Sequence, residues 1–154
     1  MNLYRESPCV VATIAAILLA SQFGCDQGPE IVPVAGKVTI DGQPLERGAI
    51  TVYQSGFRPA SAKIESDGSF VFKTLSDRDG CLLGEHPVTV MSNQILSATQ
   101  TRFFIPQRYA NVATSNTTIK IDGATDQLAI NLTWEGSGQK GPYVTGVKGN
   151  SDDL

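Results

Sequence analysis

Seven stretches of the chain alternate apolar and polar residues with a period of two. In 34–40, Val34, Val38 and Ile40 face one way, and Lys37 and Thr39 the other. Ile50 and Val52 alternate with Thr51 and Tyr53, and Ala62 and Ile64 with Lys63 and Glu65. Phe70 and Phe72 share a side, Val88 and Val90 flank Thr89, and Ile119 and Ile121 flank Lys120. Leu128, Ile130, Leu132 and Trp134 stand against Asn131 and Thr133. A strand turns successive side chains to opposite faces, so each stretch predicts a strand with one apolar and one wet face. Such strands suit two antiparallel sheets packed against each other. The expectation is an all-β, antiparallel β-sandwich of about seven strands in a Greek-key arrangement, spanning 31–134.

The connections are well marked. Asp67-Gly68 lies between two alternating runs and predicts a hairpin, with glycine supplying the positive φ. Asp41-Gly42 also marks a turn, and the polar run after it predicts a longer connection. The segment 92–116 is less regular. Within it 101–106 fits an extra strand, a helical turn near 107–110 has only weak support, and the rest reads as a polar loop. The residues after Trp134, 135–154, are rich in Gly and Ser and poor in apolar side chains. They bury too little to offset their ordering entropy, so the pattern predicts a disordered tail, with Val144 and Val147 leaving room for a weak docking strand.

Ahead of the sandwich lies one long apolar run, 9–20. A membrane-spanning helix needs about 20 apolar residues, so this run is short for a span and fits the hydrophobic region of a signal peptide. Cleavage after Ala20 or Gln22 places a poor residue at −3 or −1. Cleavage after Gly24 places a small residue at −1 and frees Cys25 as the first mature residue. The segment 21–25, SQFGC, resembles the lipobox of bacterial lipoproteins, though Gln22 replaces the usual Leu and Phe23 is bulky. The resemblance implies a signal peptide over 1–24, a lipidated Cys25 and a short linker over 25–30. Plain secretion and an uncleaved anchor are the competing readings. Two or three acyl chains would hold the chain stably at a membrane, each buried CH₂ contributing about 0.8 kcal/mol.

The chain carries 12 Lys and Arg against 15 Asp and Glu, a net charge of −3. Removing 1–24 takes one charge of each sign, Arg5 and Glu6, and leaves that balance. A dispersed, slightly acidic surface argues against nucleic acid as a partner. Of the three cysteines, Cys9 falls in the leader and Cys25 at the lipid site. Cys81 is then alone, which excludes an intramolecular disulfide framework and leaves stability to packing. Its apolar neighbours in GCLLG predict a small buried hydrophobe.

The strand-and-turn series has a further likeness. Gly36, Val38, Asp41, Gly42, Pro44, Leu45, Gly48 and Ile50 form one block; Asp67, Gly68 and Phe70 a second; Gly84, Val88 and Val90 a third; and Ile105, Pro106 and Tyr109 a fourth. This series resembles the transthyretin-like, carboxypeptidase-regulatory-like β-sandwich of small lipoproteins of the Planctomycetes type. His86 stands where that pattern has an aromatic residue, and Pro87 intrudes beside it. The shared motifs are turns and core positions. They imply a prealbumin-like fold and no particular chemistry.

Candidate chemistry is sparse. His86 is the one histidine, and no Gly-x-Ser-x-Gly elbow accompanies it. Pro87 beside it predicts a strand entry or a bulge on a sheet edge. Asp77 and Asp79 hint at a calcium loop, but position twelve from Asp77 is Val88, where such a loop needs Glu. Asn116 and Asn131 head glycosylation sequons with plain loop and strand roles. Tyr53, Phe57 and Tyr109 are the candidate ligand contacts, able to form a stacking platform if they share a face. Of Phe103 and Phe104, one on each side of a strand, one should be exposed or covered by the tail. The sequence therefore predicts a non-enzymatic module without metal or cofactor. It is expected to be exported and held at the cell envelope, periplasmic or outer, by lipid on Cys25, with an envelope protein or glycan as partner. The alternative is a carbohydrate- or peptide-binding module using sheet-edge loops.

Overall fold

The computed structural model describes residues 30–73 and 79–146. The expected signal peptide, with its expected cleavage at Gly24 and lipidation at Cys25, and Asp77 lie outside the described residues. In chain order the strands are β1 (Ile31–Val32), β2 (Val34–Ile40), β3 (Gln43–Pro44), β4 (Gly48–Val52), β5 (Ala60–Ile64), β6 (Ser69–Val71) and β7 (Cys81–Leu82). They continue with β8 (Gly84–Met91), β9 (Asn93–Ser97), β10 (Gln100–Phe103), β11 (Thr118–Ile121), β12 (Thr125–Leu132) and β13 (Tyr143–Gly146). Between β10 and β11 come a 3-10 turn, Gln107–Ala110, and a one-turn helix, α1 (Val112–Ser115).

Two four-stranded sheets share one core. The first runs β11-β8-β4-β5 and is antiparallel throughout. The second centres on β2, with β12 on one side and β3 and β6 on the other. The alternation in the sequence explains the burial. Ile50, Val52, Ile64, Val88, Val90 and Ile121 point inward from the first sheet, and Val34, Val38, Ile130 and Leu132 from the second. Phe70 and Phe72 follow the same period and meet edge to face, 5.0 Å between ring centres. The result is a small all-β sandwich with several antiparallel sheets.

Four features differ from the expectation. First, β12 pairs with β2 in parallel, Ile130 opposite Val38 and Leu132 opposite Ile40. The chain reaches this pairing without a local turn, so no hairpin signal could announce it. Second, Asp41-Gly42 closes a two-residue hairpin, Ile40 opposite Gln43, rather than opening a long connection. Both turn residues take positive φ, 46° and 80°, the geometry that suits the twist of paired strands. Third, the Asp67-Gly68 hairpin forms, but its second arm is shared between the sheets. Glu65 bonds to Ser69 and Ser61 pairs with Lys73 across the hairpin, while β6 also pairs with β2. Fourth, the tail is ordered over 135–146. β13 pairs with β10, which pairs with β9, so a third sheet stands beside the sandwich. Tyr143 stacks on Phe103 with 5.4 Å between ring centres and meets Trp134 at 6.0 Å. Aromatic contact supplies the burial that the tail's composition lacks. Val144 sits in the paired strand; Val147 lies outside the described residues.

His86 lies near the entry of β8, a strand interior to its sheet, with no bulge there, and the ladder to β4 begins only at Val88. It takes an inward position in series with Val88 and Val90. The neighbouring proline fits because β4 ends opposite Val88, and the carbonyl of Pro87 still accepts the Tyr53 N–H at 3.0 Å. The missing N–H of Pro87 falls where the ladder has stopped.

Candidate functional site

The three aromatic candidates divide between opposite ends of the sandwich. Tyr53 and Phe57 follow β4 and are 38% and 50% exposed. Their loop is held from beneath by Gln54, a buried amide. Its Nε2 donates to the Arg58 carbonyl at 3.1 Å, and its Oε1 accepts the Leu82 N–H at 2.6 Å. The loop is thereby fastened to β7, which pairs with β1. The turn closes on itself through the Phe57 N–H and the Gln54 carbonyl, 3.1 Å.

Tyr109 does not join them. It is 6% exposed and sits at the other end, beside the last residues of β12. Its hydroxyl accepts the Thr133 N–H at 3.1 Å and a hydrogen from Arg108 Nη2 at 3.0 Å, and it lies 3.3 Å from the Thr133 carbonyl. The Arg108 guanidinium also donates to that carbonyl at 2.8 Å and lies over the tyrosine ring. With its ring buried and its hydroxyl bonded, Tyr109 is an anchor for the chain at Thr133. The three rings do not share a face, so they build no common stacking platform.

This second end carries the more elaborate surface. Asp41, at the hairpin tip, accepts the Thr133 hydroxyl at 2.7 Å and the Trp134 N–H at 3.4 Å. Ser137 donates to the Trp134 carbonyl at 2.5 Å. The loop 135–140 so held has a cleft on each side. One, of about 280 Å³, is lined by Arg108, Gln107, Ser137, Gln139 and Tyr143. The other, of about 510 Å³, is lined by Asp41, Trp134, Glu135, Gln139 and Lys140. Amide, guanidinium and aromatic groups converge there, a lining suited to holding a polar ligand. No periodicity marks Arg108, Gln139 and Tyr143, because the tail that brings two of them carries no alternation. Of the paired phenylalanines, Phe103 is covered by Tyr143 from the tail, and Phe104 lies under the Arg47 guanidinium at 5.0 Å.

The side chains with reactive potential serve the fold. His86 Nε2 is 2.9 Å from the Leu82 carbonyl. Ser92 donates to the Arg47 carbonyl at 2.7 Å, and Ser115 to the Val88 carbonyl at 2.6 Å. Burial pushes the Cys81 thiol up to about 12, which holds it protonated and unreactive. Among the described residues, no group of three or more His, Cys, Asp or Glu is placed to hold a metal ion. Asn131 accepts the Thr39 hydroxyl at 2.9 Å, and Asn116 takes the left-handed conformation that ends α1.

Comparison with protein-family models, with curated proteins and with solved structures finds no match to this chain.

Proposed function

We propose that this chain is an exported, lipid-anchored β-sandwich that works without catalysis as an accessory or interaction module of the cell envelope. The observation that carries the reading is the leader: an apolar run, then Gly24-Cys25, then a first strand beginning six residues later at Ile31. Support for a binding rather than a catalytic role comes from His86, Ser92, Ser115 and Cys81, each engaged in the interior. The transthyretin-like kinship belongs to the same proposal. It is supported by Asp41-Gly42 and Asp67-Gly68 falling at turns and by the matched apolar positions falling in the core.

Mass measurement of the mature N-terminus, with membrane fractionation, tests the reading. Diacylglyceryl on Cys25 and release of the Cys25→Ser variant into the soluble fraction are expected. Retention of that variant at the wild-type level overturns the anchor.

A second reading, a carbohydrate- or peptide-binding module using sheet-edge loops, is favoured by the cleft of Arg108, Gln139 and Tyr143 beside the edge strand β13. Arrays of envelope glycans and peptides should then give a hit that Gln139→Ala weakens. Binding unchanged in that variant removes the cleft from the reading.

A further inference from the structure

We infer that the end of the sandwich carrying the 53–58 loop and Leu83 rests on the lipid surface, with Phe57 and Leu83 in the interfacial layer and the clefts at Arg108 turned away. This rests on the lipid anchor proposed above and adds an orientation to it.

The tether is short. Six residue steps separate Cys25 from Ile31, and an extended chain spans at most about 3.3–3.6 Å per residue, so the lipid lies within roughly 20 Å of Ile31. A chain of contacts then fixes what else lies near. Ile31 is paired with Leu82. The Leu82 N–H is bonded to Gln54, and Gln54 holds the loop bearing Phe57 through the Arg58 carbonyl. The point where the tether meets the fold is therefore flanked by Phe57, 50% exposed, Tyr53, and Leu83, 39% exposed. Large apolar and aromatic side chains suit the membrane–water boundary.

Among the described residues the most exposed large apolar one, Ile95, is excluded by the same geometry. Strand β8 runs from Gly84, next to Leu83, to Met91, about 23 Å at 3.3 Å per residue, and β9 begins beyond it. Trp134 is at the far end too, because β2 and β12 run side by side away from Val34 and Thr125 for about 20 Å before reaching it. Among the described residues, the charged groups flanking the contact are Arg58 and Lys120 against Glu30, Asp79, Glu85 and Asp122, so anionic lipid should not strengthen it.

The full chain, purified with its native N-terminus and reconstituted in phosphatidylcholine vesicles, provides the test. Acyl chains carrying bromine quench tryptophan only at close range. Trp134 in the wild type should keep its emission. The emission added by Phe57→Trp, and separately by Leu83→Trp, should be blue-shifted and quenched, and that added by Ile95→Trp should not. An acylated, vesicle-bound chain in which neither Phe57→Trp nor Leu83→Trp is quenched, or in which Ile95→Trp is quenched equally, overturns the orientation and leaves the anchor standing. Quenching of Phe57→Trp and Leu83→Trp in a chain whose Cys25 is unmodified overturns the anchor and keeps the docking face. An unmodified chain that leaves the vesicles overturns both.

Discussion

Gln54 and Leu82, 28 positions apart in the chain, are joined by a buried hydrogen bond of 2.6 Å between a side-chain amide oxygen and a backbone N–H. That bond ties the loop after β4 to the two-residue strand β7, and through β7 to β1. Short strands have little ladder of their own, so this end of the molecule leans on two side chains, Gln54 at the Leu82 N–H and His86 at the Leu82 carbonyl. Gln54→Leu keeps the volume and removes both hydrogen-bonding groups. It strands the Leu82 N–H and the Arg58 carbonyl, so it should cost about 2 kcal/mol. The urea midpoint should fall at an unchanged slope; a midpoint like that of the wild type would show that water replaces the amide without cost.

Asp67 gives the fold an acid-sensitive turn. Its carboxylate accepts the Ser69 hydroxyl at 2.6 Å and the Ser69 N–H at 3.0 Å, and Lys37 lies 3.7 Å away. The Ser69 bonds chiefly, with Lys37 adding to them, hold its pKa below the usual Asp range. A carboxyl with a depressed folded pKa contributes stability above its unfolded pKa, and that contribution is lost as pH falls through the folded value. Stability should therefore drop below about pH 4. In Asp67→Asn that acid limb should be shallower in thermal melts taken across the range. The residue is exposed, so the difference should be small.

Cys81 should respond at the other end of the pH scale. Its thiol is raised from 9.0 to about 12 by burial. Below the unfolded value both states are protonated and pH has no effect. Above it the unfolded chain ionises first, so stability falls as pH climbs toward the folded value. Cys81→Ala should flatten this alkaline limb. In the wild type at pH 8, alkylation mapped by mass spectrometry should leave Cys81 untouched in the native chain and modify it in denaturant. Prompt labelling of the native chain would show that the site opens.

What the sequence disclosed follows the physics of each element. The seven alternating stretches become strands because period-two burial needs only local order, and Val34, Val38, Val88 and Val90 point inward as their spacing requires. The strands β1, β3 and β7 are two residues long, too short to show any period. The third sheet owes its last strand to Tyr143 stacking on Phe103, a contact across 40 positions that no local pattern records. Among the candidate contacts, Tyr53 was legible as an aromatic on the wet face of its strand and Phe57 as a loop aromatic, and both are exposed. Tyr109 was not legible as an anchor, because its partner Thr133 lies 24 positions away, just past the end of β12.

The parallel pairing of β12 with β2 also sets the order of assembly. One of the first long strands to be synthesised waits for one of the last: Val34–Ile40 has no neighbour on that side until Thr125–Leu132 exists. Closing so long a loop is slow, and contacts of this range are formed late. A chain cut short before Thr125 would keep the β4–β8–β11 surface but expose Val34, Val38 and Phe70 to solvent. A chain emerging from its N-terminus through a ribosome or a translocation pore therefore stays unfinished, and open to chaperones and proteases, until nearly its whole length is out.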